Sequence, residues 1–203
     1  MNYYIDFDNT LYNTPLLTQK MLDSISESAY LQKDVNKQDI LEECKLMFNR
    51  EHIYNIYELA RYFSNKYNLK VQPVIDNINN IILNSSDLVF KDSITFLEKL
   101  HSENHNIFLL SYSNGNLDYQ AIKILGSGLT KFFDALYITS KPKYELDIDY
   151  ANGIFIDDNP ADLLGLYSKN AKKVIRLRRK ENKYSVKDIE NVQIEEYSNF
   201  TEM

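Results

Sequence analysis

The sequence predicts an α/β protein: a three-layer α/β/α domain around a mostly parallel sheet, with an all-helical segment inserted behind its first strand. Three observations predict it. Five short apolar runs suited to buried strands lie at 3–7, 107–110, 135–139, 154–156 and 174–177. From residue 88 onward these runs alternate with helical patterns, which implies parallel strands joined by crossover helices. Between the first run and the second, about residues 14–84, the apolar spacing is helical throughout.

The elements follow in order. Tyr3-Tyr4-Ile5-Asp6-Phe7 is rich in strand formers and runs into Asp8-Asn9-Thr10, a set of turn and capping residues. Thr14-Pro15 supplies an N-cap and a proline at the first helical position. Leu16, Leu17, Met21, Leu22, Ile25 and Ala29 then share one helical face. Asn36 can cap a second helix carrying Ile40, Leu41, Cys44, Met47 and Phe48. A third carries Ile56, Leu59, Ala60, Phe63 and Tyr67, and Pro73 opens a fourth with Val74, Ile75, Ile78, Ile81 and Ile82. Ser85-Ser86-Asp87 reads as a return linker. Asp92 is expected to cap a helix with Ile94, Phe96, Leu97 and Leu100. Ile107-Phe108-Leu109-Leu110 is a continuous apolar run of the kind buried on both faces. A helix spans 117–125 and ends at residues 126–128, where two glycines stand. The strands 135–139, 154–156 and 174–177 follow, with a helix at 160–166 between the last two. The expected division is an α/β core from 1–13 and 88–203, and a helical insert from 14–87.

Composition narrows the function. The chain has 203 residues, 44% hydrophobic and 26% charged, which fits a globular protein and excludes a disordered or fibrous one. Its formal net charge is −6, so it lacks the overall attraction that drives non-specific binding to nucleic acid. No nucleic-acid partner is expected. No apolar run approaches the length of a membrane span, so no membrane partner is expected either. The single cysteine, Cys44, excludes an intrachain disulfide and fits a reducing compartment. The start, Met1-Asn2-Tyr3-Tyr4-Ile5-Asp6, has no basic segment followed by a long apolar one, so a cytoplasmic location is expected. No motif specifies an oligomeric state.

In open parallel sheets ligands bind beyond the carboxyl ends of the strands. The first strand ends in Asp6-Phe7-Asp8, and 107–110 ends in Ser111. Strand 135–139 is followed by Ser140-Lys141-Pro142-Lys143, and 154–156 by Asp157-Asp158. Four acids, a hydroxyl and a lysine thus converge on one rim. Carboxylates crowded together repel unless a cation joins them, and hard oxygen ligands favour Mg²⁺. Such a set suits attack of a carboxylate on a phosphate monoester, with a lysine and Mg²⁺ offsetting phosphoryl charge and a second acid moving protons.

Asp6-Phe7-Asp8-Asn9-Thr10-Leu11 resembles the first motif of the haloacid dehalogenase-like (HAD) hydrolases. The other motifs arrive in that family's order: a hydroxyl after an apolar strand, a lysine, then an acidic pair after an apolar strand. Leu109-Leu110-Ser111, with Gln120, Lys123, Gly128-Leu129 and Phe133-Asp134 following, is similar to phosphatase-type members. The resemblance implies a Rossmann-like core with 14–87 as a helical cap. It also implies a Mg²⁺-dependent phosphatase acting on a small phosphorylated metabolite through an aspartyl-phosphate. Asp6 matches the nucleophile, and Asp8 the general acid/base, its main-chain carbonyl matching a metal ligand. Ser111 matches the phosphate-binding hydroxyl. Asp157 and Asp158 match the metal-holding acids, Asp158 the direct ligand, and Asp162 a supporting acid. The site lysine is Lys141 or Lys143, both placed with the phosphate-binding groups, and Lys141 is taken with the catalytic set. Only residues 144–153 separate them from the apolar run that ends in the acidic pair, where the family commonly has a longer segment with a helix. Ser113-Asn114-Gly115 resembles a Ser-Asn-Gly version of the hydroxyl motif, which brings Asn114 into the phosphate-binding set. Ser111 is preferred because it directly follows the apolar run.

Plainer readings stand beside these. Asp157-Asp158 can be an N-cap ahead of Pro160. The basic run Arg176, Arg178, Arg179, Lys180 reads as a solvated strand end and loop. His52, His101 and His105 show no metal-ligand spacing. Arg50 and His52, between two helices of the insert, are weak candidates for substrate contact. A phosphomutase or phosphotransferase needs the same residues as a phosphatase. A non-catalytic phosphate-binding protein of the same kind is the remaining alternative.

Overall fold

Among the described residues six strands form one parallel sheet: β1 (Asn2–Ile5), β2 (Asn106–Tyr112), β3 (Ala135–Thr139), β4 (Gly153–Asp157), β5 (Lys173–Leu177) and β6 (Glu195–Tyr197). The computed structural model describes residues 1–31, 36–50, 55–114, 116–180, 182–189, 192 and 194–203, with residues 49 and 50 through their backbone alone. Among these described residues seven α-helices accompany the strands: α1 (Thr14–Tyr30), α2 (Lys37–Arg50), α3 (Ile56–Lys66), α4 (Val71–Leu83), α5 (Lys91–Ser102), α6 (Leu117–Gly126) and α7 (Pro160–Ser168). The chain divides into two compact units, Met1–Pro15 with Ser86–Met203, and Leu16–Ser85.

In the first unit the strand order is β3-β2-β1-β4-β5-β6. The chain steps from β1 outward to β2 and β3, then returns to β4 on the other side of β1. That reversal opens a crevice at the carboxyl ends of β1 and β4, the place where open α/β sheets bind ligands. Register makes the point atomic. Ile5 pairs with Leu109 on one side and Ile156 on the other, so Asp6 and Asp157 leave the sheet at one height.

Alternation along β1 sends Tyr3 and Tyr4 to opposite faces. Tyr4 stacks on Phe155 (4.7 Å) and Phe108 (4.9 Å), in a cluster that continues to Leu163 and Leu166 of α7. Tyr3 meets Phe96 of α5 edge-on, 6.4 Å between ring centres. Helices therefore cover both faces, and β4 is buried along its whole length, as a central parallel strand requires.

The second unit is helical. Leu17, Met21, Leu22 and Ile25 of α1 are buried, as are Ile40 and Cys44 of α2, Leu59, Ala60 and Phe63 of α3, and Val74, Ile78 and Ile82 of α4. The Tyr57 hydroxyl donates to Asn79 Oδ1 (2.7 Å), and Asn77 Nδ2 donates to Ser24 Oγ (2.7 Å). These bonds fix α3 to α4 and α4 to α1.

Several expectations are corrected. β1 stops at Ile5 because the chain then curls: Leu11 and Tyr12 both donate their N–H to the Phe7 carbonyl, and Asn9 sits at φ 60°. That left-handed conformation is one Asn tolerates better than most residues. α4 begins at Val71, two residues before Pro73, since a proline in a first turn lacks only an N–H that has no helical partner. Asp92 does not cap α5. The cap position is Phe90, and Asp92 instead accepts hydrogen bonds from Arg179 and from the Phe200 N–H. β6 has no alternating pattern to reveal it. The basic run is solvated only in part: Arg176 is fully buried and Arg179 nearly so, while Arg178 is partly exposed and Lys180 exposed. His52 and the Arg50 side chain lie outside the described residues.

Candidate functional site

Asp6 is the first residue past β1. Its N–H donates to the Ile156 carbonyl (2.9 Å), so the sheet still holds its backbone while its side chain enters the crevice. The residue is buried at 5% exposure. Lys143 Nζ donates to Asp6 Oδ1 and to Asp157 Oδ2, both at 2.6 Å. Asp6 Oδ2 is buried with no hydrogen-bond partner. Asp6, Asp157 and Asp158 each offer a carboxylate oxygen within 4.8 Å of the others.

The two acids at the end of β4, Asp157 its last residue and Asp158 the next, do different work from a helix cap. Asn159 caps α7, its side chain accepting from the Ala161 N–H. Asp157 Oδ1 accepts from the Asn159 N–H (2.9 Å), and Asp158 Oδ2 accepts from Asn182 Nδ2 and, at 3.4 Å, from Asn9 Nδ2. Asp162 is buried and accepts from Asn159 Nδ2 (2.7 Å).

Lys143 reaches the acids from a short 3₁₀ turn, Lys143–Glu145. The Tyr150 hydroxyl donates to the carbonyls of Lys143 (3.1 Å) and Leu146 (2.6 Å), which closes the connection between β3 and β4 into a compact loop. Gly165 of α7 admits the Tyr144 ring: a Cβ there would lie 2.0 Å from Tyr144 Cδ1. No intervening helix is needed to place the lysine. Lys141 is the correction here. Its side chain is exposed, and its backbone is engaged with Thr139 through an N–H bond of 2.9 Å to Oγ1. Two residues of chain turn the two lysines to different surroundings, and the buried one takes the acids.

Asp8 faces another cation. Its Oδ1 accepts from Lys123 Nζ (2.5 Å) and from the Thr14 hydroxyl, and its Oδ2 accepts from Gln120 Nε2 (2.7 Å). Gln120 Nε2 also donates to Ser111 Oγ (2.7 Å), so Ser111 joins the same network. The Asp8 carboxylate stands outside the group of three that shares metal-ligand spacing. Ser113 is turned away, its hydroxyl donating to the Asn116 carbonyl (2.8 Å) where α6 begins. Asn114 is exposed in the bend after β2, and Gly115 lies outside the described residues.

Electrostatics follow from the count of charges. Fully ionised, the three buried carboxylates would exceed the one ammonium by two negative charges, an excess that the metal-free site relieves by holding protons. Burial pushes Asp6 up to about 8, with Lys143 opposing and the charges of Asp157 and Asp8 adding. Burial, then the neighbouring Asp6 and Asp157, raise Asp158 well above the ordinary carboxylate value. Burial also raises Asp162, with Asp157 adding. Burial works to lower Lys143, but Asp157 and Asp6 outweigh it and hold the ammonium charged. For Asp8, burial raises, but the Lys123 charge with the bonds from Lys123, Thr14 and Gln120 prevails and lowers it. A divalent cation fits this site: the acids, once ionised, exceed the ammonium by two charges, the donors are hard oxygens, and one buried oxygen of Asp6 lacks a partner.

Sequence reasoning missed Asn182 and Thr14. It noted Gln120 and Lys123 only as part of a resemblance. A signal for those two existed, since they stand three apart on one face of α6 where apolar residues would otherwise be buried. Asn182 carried no such signal, lying in a polar stretch.

No protein-family model matches the chain, and no curated protein does. Solved structures do. A structure from Burkholderia xenovorans named for the haloacid dehalogenase-like hydrolases superposes with a TM-score of 0.72 at 14% identity, over 98% of this chain and 92% of that one. A HAD phosphatase from Thermococcus onnurineus gives 0.63 at 16% identity, over 99% and 94%. A HAD-hydrolase from Bacillus subtilis, bound to magnesium, gives 0.62 at 10% identity, over 99% and 95%. A dehalogenase stands among the similar structures too. With the strand order, the crevice and the buried acids already in place, these superpositions show that the chain has the fold of the haloacid dehalogenase-like hydrolases.

Proposed function

We propose that the chain is a Mg²⁺-dependent phosphatase that hydrolyses a small phosphorylated metabolite through an aspartyl-phosphate on Asp6. The observation that carries this reading is Asp6 itself, a buried carboxylate with one oxygen on Lys143 and the other unpartnered. In the first half, the Asp6 carboxylate attacks phosphorus and the bond to the leaving oxygen breaks, with Asp8 passing to that oxygen a proton that it must first take up against the pull of Lys123. In the second half, Asp8 takes the proton of the attacking water and the bond between Asp6 and phosphorus breaks.

Asp6, Asp157 and Asp158, with the main-chain carbonyl of Asp8, are the residues that would hold Mg²⁺. When bound, the ion supplies charge neutralisation at the phosphoryl oxygens and at the acids. Lys143 holds Asp6 in place and neutralises part of the incoming phosphate charge. Ser111 and Asn114 are assigned to the phosphate. Lys123 and Gln120 fix the oxygens of Asp8. Residues 14–87, inserted between the nucleophile and the rest of the core, are assigned to substrate choice as a cap. A halide leaves carbon without needing a proton, whereas an alkoxide needs one. The presence of Asp8 therefore supports phosphoryl transfer over dehalogenation.

The test is a panel of phosphate monoesters assayed with and without Mg²⁺, beside Asp6→Asn. Turnover is expected to require the metal and to vanish in the variant. Undiminished turnover in Asp6→Asn would refute the nucleophile. Transfer to a sugar hydroxyl in preference to water would assign a phosphomutase instead.

A further inference from the structure

The stretch after β5 looks like a solvated basic loop in sequence and is built otherwise. Arg176 Nη2 donates to the carbonyls of Tyr184 (2.8 Å) and Lys187 (2.6 Å), and its Nη1 to Glu196 Oε1 of β6 (2.8 Å). Arg178 Nε donates to the Ser185 carbonyl (2.5 Å). Two arginines at the end of one strand thus gather three carbonyls of the following segment. That segment is a run of turns, with the Asn182 N–H on the Arg179 carbonyl and the Ser185 N–H on the Asn182 carbonyl. A fully buried guanidinium is costly to desolvate unless it organises something in return. What it organises here is the fold-back that carries Asn182 into the acidic site.

Asn182 is buried at 3% exposure. Its Oδ1 accepts from the Tyr184 N–H (2.8 Å), which settles which end of the amide is which. The donating Nδ2 therefore faces Asp158 Oδ2. Asn9 is the other amide on that oxygen, at a longer 3.4 Å. We infer that Asn182 is a positioning residue for Asp158: it holds Oδ2, fixes the turn of the carboxylate, and leaves Oδ1 as the oxygen for a divalent cation. Residues 182–189, between β5 and β6, are then a working part of the site. Groups that orient a ligand from behind typically change metal affinity by about 10–100-fold when removed. This inference rests on the proposed Mg²⁺ site.

The test is calorimetric titration of MgCl₂ into the full chain, as wild type, Asn182→Ala and Asn182→Ser. Serine keeps an acceptor for the Tyr184 N–H, and so the turn, but is too short to reach Asp158. It decides the matter if the alanine variant fails to fold. Both variants are expected to bind Mg²⁺ about tenfold more weakly. Excess Mg²⁺ is expected to restore their turnover, which repair of a merely structural loss would not do. Wild-type binding with unchanged affinity in a folded variant overturns the role of Asn182 and leaves the Mg²⁺ site standing. No binding by wild type overturns both.

Discussion

Replacing Lys143 with methionine keeps most of the length of the side chain and removes its charge. In the native site the ammonium lies 2.6 Å from an oxygen of Asp6 and 2.6 Å from an oxygen of Asp157, with about 3% of the lysine side chain exposed. Solvent cannot step in for it. Removing one partner of a buried ion pair costs about 3–5 kcal/mol, because the surviving charge stays buried without compensation. For a chain of this size each kcal/mol moves the midpoint of thermal unfolding by about 2–4 °C, so a fall of about 6–20 °C is expected in the metal-free protein. The assay is thermal melting followed by far-ultraviolet circular dichroism, with EDTA and again with excess MgCl₂. Without the ammonium only protons remain to offset Asp6, Asp157 and Asp158, so Mg²⁺ is expected to raise the midpoint of the variant more than that of the wild type. A wild-type midpoint for Lys143→Met in EDTA would refute the reasoning, since it would mean that the lysine does not neutralise these acids inside the fold.

Two further outcomes follow from the titrating groups. In the folded, metal-free chain Asp6 holds its proton up to about pH 8, against an ordinary 3.8. Between those values the folded state binds a proton that the unfolded state has released, so stability is greatest below the window and falls as pH rises through it. Melting in EDTA from about pH 5 to about pH 8 checks this, and a midpoint that climbs across the window contradicts it; excess Mg²⁺ is expected to flatten the curve by taking the proton's place. In the helical unit, burial pushes the Cys44 thiol up to about 12, with Glu43 adding. Thiol reagents at neutral pH are expected to leave the native chain unlabelled and to find one thiol after unfolding, and equally fast labelling of both would show Cys44 to be accessible.

Much of the site was legible because it lies where strands end. An apolar run that stops at a polar residue marks both a strand and its rim, which is how Asp6, Asp8, Ser111, Asp157 and Asp158 become candidates. Asp6, Asp157 and Asp158 do converge, since β1 and β4 are neighbours in register. The choice between Lys141 and Lys143 was not legible, because both lie within the same short linker and only the packing of Tyr144 against Gly165 and the bonds of Tyr150 settle which one turns inward. Asp92 misled in a related way: an acid ahead of a helix looks like a cap until a distant arginine claims it.

From the order of residues alone come the α/β class, the helical insertion after the first strand, and the identity of the acids at strand ends. These are carried by periodicity and by the cost of placing a charge against apolar neighbours, both local properties of the chain. Tertiary structure alone decided that Lys123 and Gln120 hold Asp8, that Lys143 takes Asp6 and Asp157, and that Asn182 holds Asp158. Those contacts join residues 14 to 137 positions apart, and most of them join distant ones. Their partners are chosen by how helices and loops pack on the sheet, which no local pattern in the sequence encodes.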